Sequence, residues 1–163
     1  MKKYLLKSFR KSKHPTEDID GGVRKRLDAN APKAISCTKL VTFECTFSTL
    51  ALAGSLESGR SVFTLKARVE NGVVSASYRS RNEEFAFSAT PSFMDELQSI
   101  ISDYDFAQYN GITYHVSGLP DMFGAIISAH YESGEQIYSA NNQDCFIPTE
   151  AINKLAKLFK EHK

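Results

Sequence analysis

The chain has 163 residues, of which 42% are hydrophobic, and its 20 Lys and Arg side chains nearly balance 19 Asp and Glu, for a formal net charge of +1. This balance excludes a uniformly basic or uniformly acidic protein, and the length predicts one globular domain. No apolar run approaches the roughly 20 residues that span a bilayer, and charges interrupt the apolar residues at the start before a secretory signal can form. We therefore expect a cytoplasmic protein.

The basic charge is concentrated at the amino-terminal end. Residues 1–36 hold ten Lys and Arg against four acidic residues, so the other ten basic and fifteen acidic residues leave a net charge of −5 in residues 37–163. The first segment also contains Pro and Gly-Gly breaks and few large apolar residues after Phe9. We predict a basic, mobile tail over residues 1–35, with a transient helix at Val23–Leu27, and a single domain over residues 36–163.

Alternating apolar and polar residues predict β-strands from Ser36 onward. One face of the first strand carries Val41, Phe43, Cys45 and Phe47. Residues 63–69 and 74–78 alternate in the same way on either side of Asn71-Gly72, a dipeptide that favours type I′ hairpin turns. With a two-residue turn, all apolar residues share one face and the register pairs Val69 with Val74, Ala67 with Ala76 and Leu65 with Tyr78.

Two helices and further strands are predicted in the second half. Thr90 and Pro91 fit the N-cap and first turn of a helix, whose apolar stripe is Phe93, Leu97, Ile100, Ile101 and Tyr104. Thr149 is predicted to cap a second helix that carries Ile152, Leu155, Ala156 and Phe159. Between the helices, residues 112–116 and 127–131 are predicted to pair across a loop, and Ser133-Gly134 favours a three-residue hairpin loop with a left-handed glycine.

These elements predict an α+β fold, in which an antiparallel sheet built from β-hairpins carries two helices packed on one face. A hairpin followed by a helix occurs twice, and FTLKARVENGVVSAS aligns with AIISAHYESGEQIYS. Either a duplicated hairpin-helix unit or the patterning shared by any two such units explains this similarity.

The candidate catalytic and metal-binding residues do not converge in this pattern. If the strands around the 117–124 loop pair, His115 and His130 lie about four residues apart, which is ~13 Å and too far to share a metal ion. Cys37, Cys45 and Cys145 form no CxxC pair, so neither a disulfide framework nor a zinc site is indicated. Cys145 precedes a helix, whose N-terminus can lower a thiol pKa, although a small apolar side chain packed beside Phe146 is the favoured explanation. We predict no catalytic residue, metal site or cofactor.

Four basic residues of the first hairpin form the one coherent charged patch in the sequence. The register places Lys66, Arg68 and Arg79 on the polar face, which we expect Arg81 to share. Beside the basic tail, such a face favours nucleic acid or an acidic partner. A solvated strand face explains the same residues, because no exposed aromatic side chain is interleaved with them for base stacking. The tail itself, with apolar residues among its lysines, also fits weak binding to an anionic membrane.

Three segments of the chain resemble a family of small uncharacterised bacterial proteins. They are YNG after the first helix, GLPDMFG, and YESGEQIYSANN. The resemblance covers roughly residues 31–160 and consists of turn and hairpin motifs rather than catalytic ones. It implies a domain of unknown function and transfers no activity and no catalytic residue.

The sequence therefore favours a non-catalytic cytoplasmic binding or interaction module for a protein partner or a small ligand. The alternative is an electrostatic adaptor that binds nucleic acid or an anionic membrane through the basic tail and the basic hairpin face. A third hypothesis is a small enzyme that uses Cys145 or a histidine near residues 117–124. An unpaired edge strand would also allow an oligomer or the addition of a peptide strand.

Overall fold

The computed structural model describes residues 17–19, 22–49, 61–118 and 124–163, which form nine β-strands and two α-helices. The strands are β1 (Glu17–Ile19), β2 (Val23–Leu27), β3 (Leu40–Thr49), β4 (Ser61–Glu70), β5 (Val73–Arg79), β6 (Glu84–Ala89), β7 (Ile112–Val116), β8 (Ala125–Tyr131) and β9 (Gln136–Asn141). The helices are α1 (Pro91–Asp103) and α2 (Thr149–Glu161), and a short 3₁₀ helix spans Phe106–Tyr109.

The strands form one open sheet in the order β1-β2-β7-β9-β8-β3-β4-β5-β6. Neighbouring strands are antiparallel throughout, except that β7 and β9 run parallel. The helices pack against each other and against one face of the sheet, where α1 contacts β3 and β5 and α2 contacts β5. This arrangement confirms the predicted α+β class, with two helices on an almost wholly antiparallel sheet.

The core lies between the helices and the sheet face that they cover. The register aligns Ile127, Cys45, Leu65, Tyr78 and Phe85 in one row across five strands, and the first four are almost fully buried. The helices bury Phe93, Leu97, Ile101, Ile152, Leu155 and Phe159 against such rows. Each large apolar side chain contributes about 1.5–3 kcal/mol when it is fully buried. The burial of these side chains therefore strongly favours the packing of the helices on this face of the sheet. The opposite face, called the open face below, carries no helix from the described part of the chain.

Both predicted hairpin turns are confirmed. β4 and β5 pair Val69 with Val74 and Leu65 with Tyr78, as the two-residue turn requires. Asn71 and Gly72 have φ angles of 51° and 78°, the left-handed values that a type I′ turn needs at both central positions. Between β8 and β9, Gly134 has a φ angle of 86°, so it takes the left-handed position of a three-residue loop.

The predicted pairing of residues 112–116 with residues 127–131 is wrong, because β9 lies between β7 and β8. β8 pairs with β9 on one side, through the tight hairpin, and with β3 on the other, so it has no free edge for β7. β7 instead pairs in parallel with the outer edge of β9 and antiparallel with β2. Residues 119–123 of the connecting loop lie outside the described residues.

Residues 23–27 form a strand and not the predicted helix. The strand is paired along its whole length, from Val23 opposite Val116 to Leu27 opposite Ile112. A helix of this length is unstable in water, whereas the free edge of β7 supplies backbone hydrogen-bond partners. β1 and β2 therefore belong to the sheet, although the sequence analysis assigned them to the tail. Residues 1–16, 20 and 21 lie outside the described residues.

The helix starts differ in small ways from the predicted caps. Thr90 is the N-cap of α1 and Pro91 its first residue, as predicted, but the Thr90 hydroxyl bonds to the Ser92 hydroxyl at 2.7 Å rather than to a backbone N–H. Helix α2 has Pro148 at its N-cap, so the predicted cap at Thr149 is wrong by one residue. The Pro148 carbonyl accepts the first helical bond from the Ile152 N–H at 3.0 Å.

Candidate functional site: a groove on the open face of the sheet

The basic patch predicted from the sequence lies on the open face as expected, but its charges are paired. Lys66 contacts Glu44 on β3 at 2.9 Å, Arg68 contacts Glu70 at 3.0 Å, and Arg79 contacts Glu84 on β6 at 2.5 Å. Arg81 lies beyond the end of β5, in the exposed turn before β6, and not on the strand face. The carboxylates offset three of the four positive charges, so the patch presents much less positive potential than its basic residues alone suggest.

A depression of about 370 Å³ overlies part of this patch, lined on its polar side by Lys66, Arg68, Glu44 and His130. The His130 imidazole lies 3.3 Å from the Ser128 hydroxyl. The depression therefore already contains a carboxylate that pairs with its lysine, and an anionic ligand would have to compete with Glu44 for Lys66.

A larger groove of about 710 Å³ crosses the same face from β2 to β4. Its lining comes from six neighbouring strands and the chain around Gly124 and Asn142. The lining residues are Arg24, Arg26, Thr46, Ser48, Val62, Thr113, Tyr114, His115, Gly124, Ala125, Ile126, Tyr138, Ala140, Asn141 and Asn142. Its volume lies in the range of about 300–1,000 Å³ that is usual for small-molecule sites.

One wall of the groove is cationic. Arg24 lies opposite His115 in the register of β2 and β7, and Arg26 lies opposite Thr113, so three nitrogen-bearing side chains stand at one edge. None of the described residues that line the groove is acidic. Asp18 of β1 lies opposite Arg24 in the register, whereas Arg26 lies beyond the described pairs of β1 and has Thr113 of β7 opposite it. Among the described residues no carboxylate lies opposite Arg26 in the register, and the donors of a guanidinium group match a carboxylate or a phosphate.

The opposite half of the groove is apolar. Ile126 is 44% exposed, Val62 is 45% exposed and Tyr138 is 46% exposed. The described residues include five exposed large hydrophobic side chains, and these three all line the groove. Single exposed apolar residues are ordinary, but their clustering in a concave site is typical of a surface that binds an apolar group.

The cationic wall is joined to the rest of the sheet by a short seam between β7 and β9. Only two residue pairs form this parallel ladder, Thr113 with Ala140 and Tyr114 with Asn141. Polar side chains add hydrogen bonds to this ladder. The Ser139 hydroxyl donates to the Ile112 carbonyl at 2.8 Å, and the side-chain amide of Asn142 forms hydrogen bonds with both the N–H and the carbonyl of Val116. These contacts hold β7, and through it β2 with its arginines, at a fixed distance from the apolar half.

At the other end of the seam, Asn110 joins three segments. Its amide nitrogen donates to the carbonyls of Pro32 and Gln136 at 3.0 and 2.8 Å, and its amide oxygen accepts from the Tyr138 N–H at 2.8 Å. The Asn110 carbonyl also accepts from the Lys33 ammonium group. Asn110 therefore ties the segment that follows β2 to the strand that carries Tyr138.

A carboxylate in the β8–β9 turn fixes the far end of the same segment. Glu135 accepts from the backbone N–H groups of Ser36 and Cys37, both at 2.9 Å, and from the hydroxyls of Ser36 and Ser133. These donors favour the charged form and lower the pKa of Glu135 to about 2. The chain between β2 and β3 is thus attached to the sheet at both ends of its path.

The two histidines singled out from the sequence lie on different parts of the open face. His115 is on β7 in the groove wall, and His130 is on β8 in the smaller depression, with β9 between the two strands. The prediction that these strands pair directly is thus wrong, and the intervening strand separates the histidines further. Within the described ranges, no group of three or more His, Cys, Asp or Glu side chains is arranged to hold a metal ion.

The cysteines are free thiols in packed or half-packed positions. Burial raises the pKa of Cys145, with a smaller opposing effect from a backbone hydrogen bond at Ile147. The suggested lowering of this pKa by the following helix is therefore wrong. Burial also raises the pKa of Cys45, which is fully buried in the core row. Both thiols are held in the neutral, unreactive form.

No protein-family model, curated protein or solved structure gives a significant match to this chain. The resemblance noted from the turn motifs stays a prediction. Among the described residues, no helix has the length and hydrophobicity needed to cross a lipid bilayer.

Sequence reasoning missed the groove because its two halves come from opposite ends of the chain. Arg24 and Arg26 lay in the segment that was assigned to the tail, although Val23 to Leu27 places them two residues apart on one strand face. Ile126 and Tyr138 occupy polar-face positions of otherwise alternating strands. Large apolar side chains at such positions were the available signal.

Proposed function

We propose that this protein is a non-catalytic binding module whose groove takes an anionic ligand with an apolar part. The observation that carries the proposal is the groove itself, which combines two arginines on one strand face with a cluster of exposed apolar side chains and has no acidic residue in its described lining. Charge complementarity supplies orientation and specificity in such sites, while the buried apolar surface supplies most of the affinity.

The chemistry of the lining supports binding rather than a reaction. The groove offers guanidinium groups, hydroxyls from Thr46, Ser48 and Thr113, and amides, all of which can hold a ligand in place. His115 is the one lining side chain that commonly acts as a general base. Its register partner is Arg24 rather than a carboxylate that would orient it.

The alternative of an electrostatic adaptor receives less support from the described residues. The hairpin face that would carry it has Lys66, Arg68 and Arg79 in ion pairs. Exposed ion pairs of this kind are worth little to stability, but they reduce the potential that would attract a polyanion.

The test compares two double variants that remove the same charge from the same sheet face. Arg24→Gln with Arg26→Gln removes the groove cations, while Lys66→Gln with Arg68→Gln removes paired cations outside the groove. The probe is 8-anilinonaphthalene-1-sulfonate, an aromatic anion whose fluorescence rises in apolar surroundings. We expect the groove variant to bind it about tenfold or more weakly, a loss of about 1.4 kcal/mol or more, and the control to match the unmodified protein. Equal affinity in all three proteins, or no binding by any, would contradict the proposal.

A further inference from the structure

We infer that the groove binds a free single-chain carboxylate amphiphile, with its carboxylate at Arg24 and Arg26 and its hydrocarbon chain over Ile126 and Val62. This inference rests on the proposed function and names the class of its ligand. It follows from how charge and apolar surface are distributed along the groove rather than from the presence of either alone.

The groove has a polar end and an apolar end. The strand register gives one continuous row across the open face, from Arg26 through Thr113 and Ala140 to Ile126 and Thr46. Positive charge is confined to the first strands of this row, and the large apolar side chains lie on the later ones. A ligand that satisfies both ends needs an anionic head and an apolar body joined end to end.

The dimensions favour an extended ligand. Arg26 on β2 and Ile126 on β8 are separated by three strand spacings, which is about 14 Å at ~4.8 Å per strand. Val62 on β4 lies two strands further, so the whole groove spans about 24 Å. A compact anion such as phosphate would occupy the arginine end only, whereas a hydrocarbon chain of a dozen carbons can follow the floor as far as Ile126, and a longer chain can continue toward Val62.

Two neighbouring arginines suit a single carboxylate head. A guanidinium group donates two parallel hydrogen bonds to a carboxylate, and two of them can share its oxygens. A nucleic acid strand would instead need cations along its whole path and several aromatic side chains for stacking. The later part of the groove presents Ile126, Val62 and hydroxyls, and Tyr138 is its one exposed aromatic side chain among the described residues.

The experiment is calorimetric titration with acetate, octanoate, decanoate and dodecanoate, each below its micelle concentration, and with dodecanol as the chain without charge. We expect affinity to rise about two- to fourfold for each added methylene, because a fully buried methylene contributes about 0.8 kcal/mol and an open groove buries roughly half of it. Dodecanol should bind at least tenfold more weakly than dodecanoate.

Matched variants test where the hydrocarbon chain of the ligand lies in the groove. Ile126→Thr keeps a β-branched residue in the strand and should reduce the chain-length dependence, whereas Val73→Thr changes an apolar residue that is 57% exposed but outside the groove, and should have no effect. Arg24→Gln with Arg26→Gln should weaken dodecanoate at least tenfold and leave dodecanol unchanged. Thermal unfolding of each variant verifies that it is folded.

The inference and the proposed function fail in different ways. If 8-anilinonaphthalene-1-sulfonate or an oligonucleotide binds through the arginines, but dodecanoate binds no better than acetate, the amphiphile is wrong and the anion site stands. If anionic vesicles bind through the arginines and free dodecanoate does not, the groove docks on a membrane and the inference is overturned. If no anion responds to loss of the arginines, both are wrong.

Discussion

Asn110 is a buried residue whose small side chain joins separate segments of the fold, so its replacement should be strongly destabilising. Its side chain is only 3% exposed, and it makes three hydrogen bonds to backbone groups of Pro32, Gln136 and Tyr138. Replacing it by alanine removes all three bonds while leaving their backbone partners where they are. The perturbation therefore tests whether the seam between β7 and β9 depends on side-chain amides as well as on its short ladder.

The loss in the free energy of unfolding can be estimated from the backbone groups that lose their hydrogen-bond partner. Each buried polar group left without a partner costs about 1–3 kcal/mol. Pro32 is itself exposed, so its carbonyl can bond to water, and the two groups on β9 carry most of the penalty. We expect Asn110→Ala to lower the free energy of unfolding by about 3 kcal/mol. In a chain of this length that corresponds to a decrease of roughly 6–12 °C in the midpoint of thermal unfolding.

The assay is urea unfolding followed by circular dichroism, with Asn82→Ala as the control. Asn82 is exposed in the turn between β5 and β6, and its replacement should change the free energy of unfolding by less than about 0.5 kcal/mol. Amide hydrogen exchange should also become faster in β2 and in residues 28–39, since Asn110 anchors that segment. An Asn110→Ala protein as stable as the control would refute the view that this amide joins the segment to the sheet.

Two further predictions concern the same attachment. The pKa of Glu135 is lowered from 4.5 to about 2, so its charged form contributes stability above about pH 4.5 that is lost as the pH falls toward 2. The Glu135→Gln protein should therefore be less stable at neutral pH, and its stability should change less between pH 4.5 and pH 2. Unfolding measured at each pH tests both expectations. Gly111 has a φ angle of 75°, and a Cβ there would lie 2.5 Å from the Cβ of Ala31. Gly134 has a similar φ angle of 86°, but no atom lies within 4 Å of the position of its Cβ. Gly111→Ala should therefore lower the midpoint of thermal unfolding more than Gly134→Ala. Equal effects of the two glycine replacements would show that the close approach of Ala31 contributes nothing.

The parts of the fold that were predictable are those encoded by neighbouring residues. Asn71-Gly72 fixes a left-handed turn, and the alternation on both sides of it then has one register that buries every apolar residue. The apolar stripe of α1 identified Phe93, Leu97 and Ile101 as buried in the same way, while Ile100 and Tyr104 are only partly buried. In each case the interacting residues are within about twenty positions, so the sequence pattern contains the contact.

The parts that were missed depend on contacts between distant segments. Nothing in residues 23–27 indicates that β7 has a free edge for them, and nothing in residues 112–116 indicates that β9 already occupies the neighbouring edge of β8. Strand pairing is set by which backbone edges remain available after the tight hairpins have formed. The groove could not be predicted for the same reason, because its arginines and its apolar residues come together only when the order of the strands is fixed.

The groove crosses the ladder with the fewest residue pairs in the described sheet, the one between β7 and β9, and this links its shape to the stability of the fold. The arginines lie on β2, which reaches the main sheet through β7, while Ile126 and Val62 lie on strands with long antiparallel ladders. Between them stand two ladder pairs and the side chains of Asn110, Ser139 and Asn142. A ligand that contacts both halves binds the joined state more tightly than a state in which the seam has opened, so it must stabilise the seam by mass action. The polar side chains that join β7 to β9 therefore set both the stability of this edge of the sheet and the distance between the charged and apolar ends of the groove.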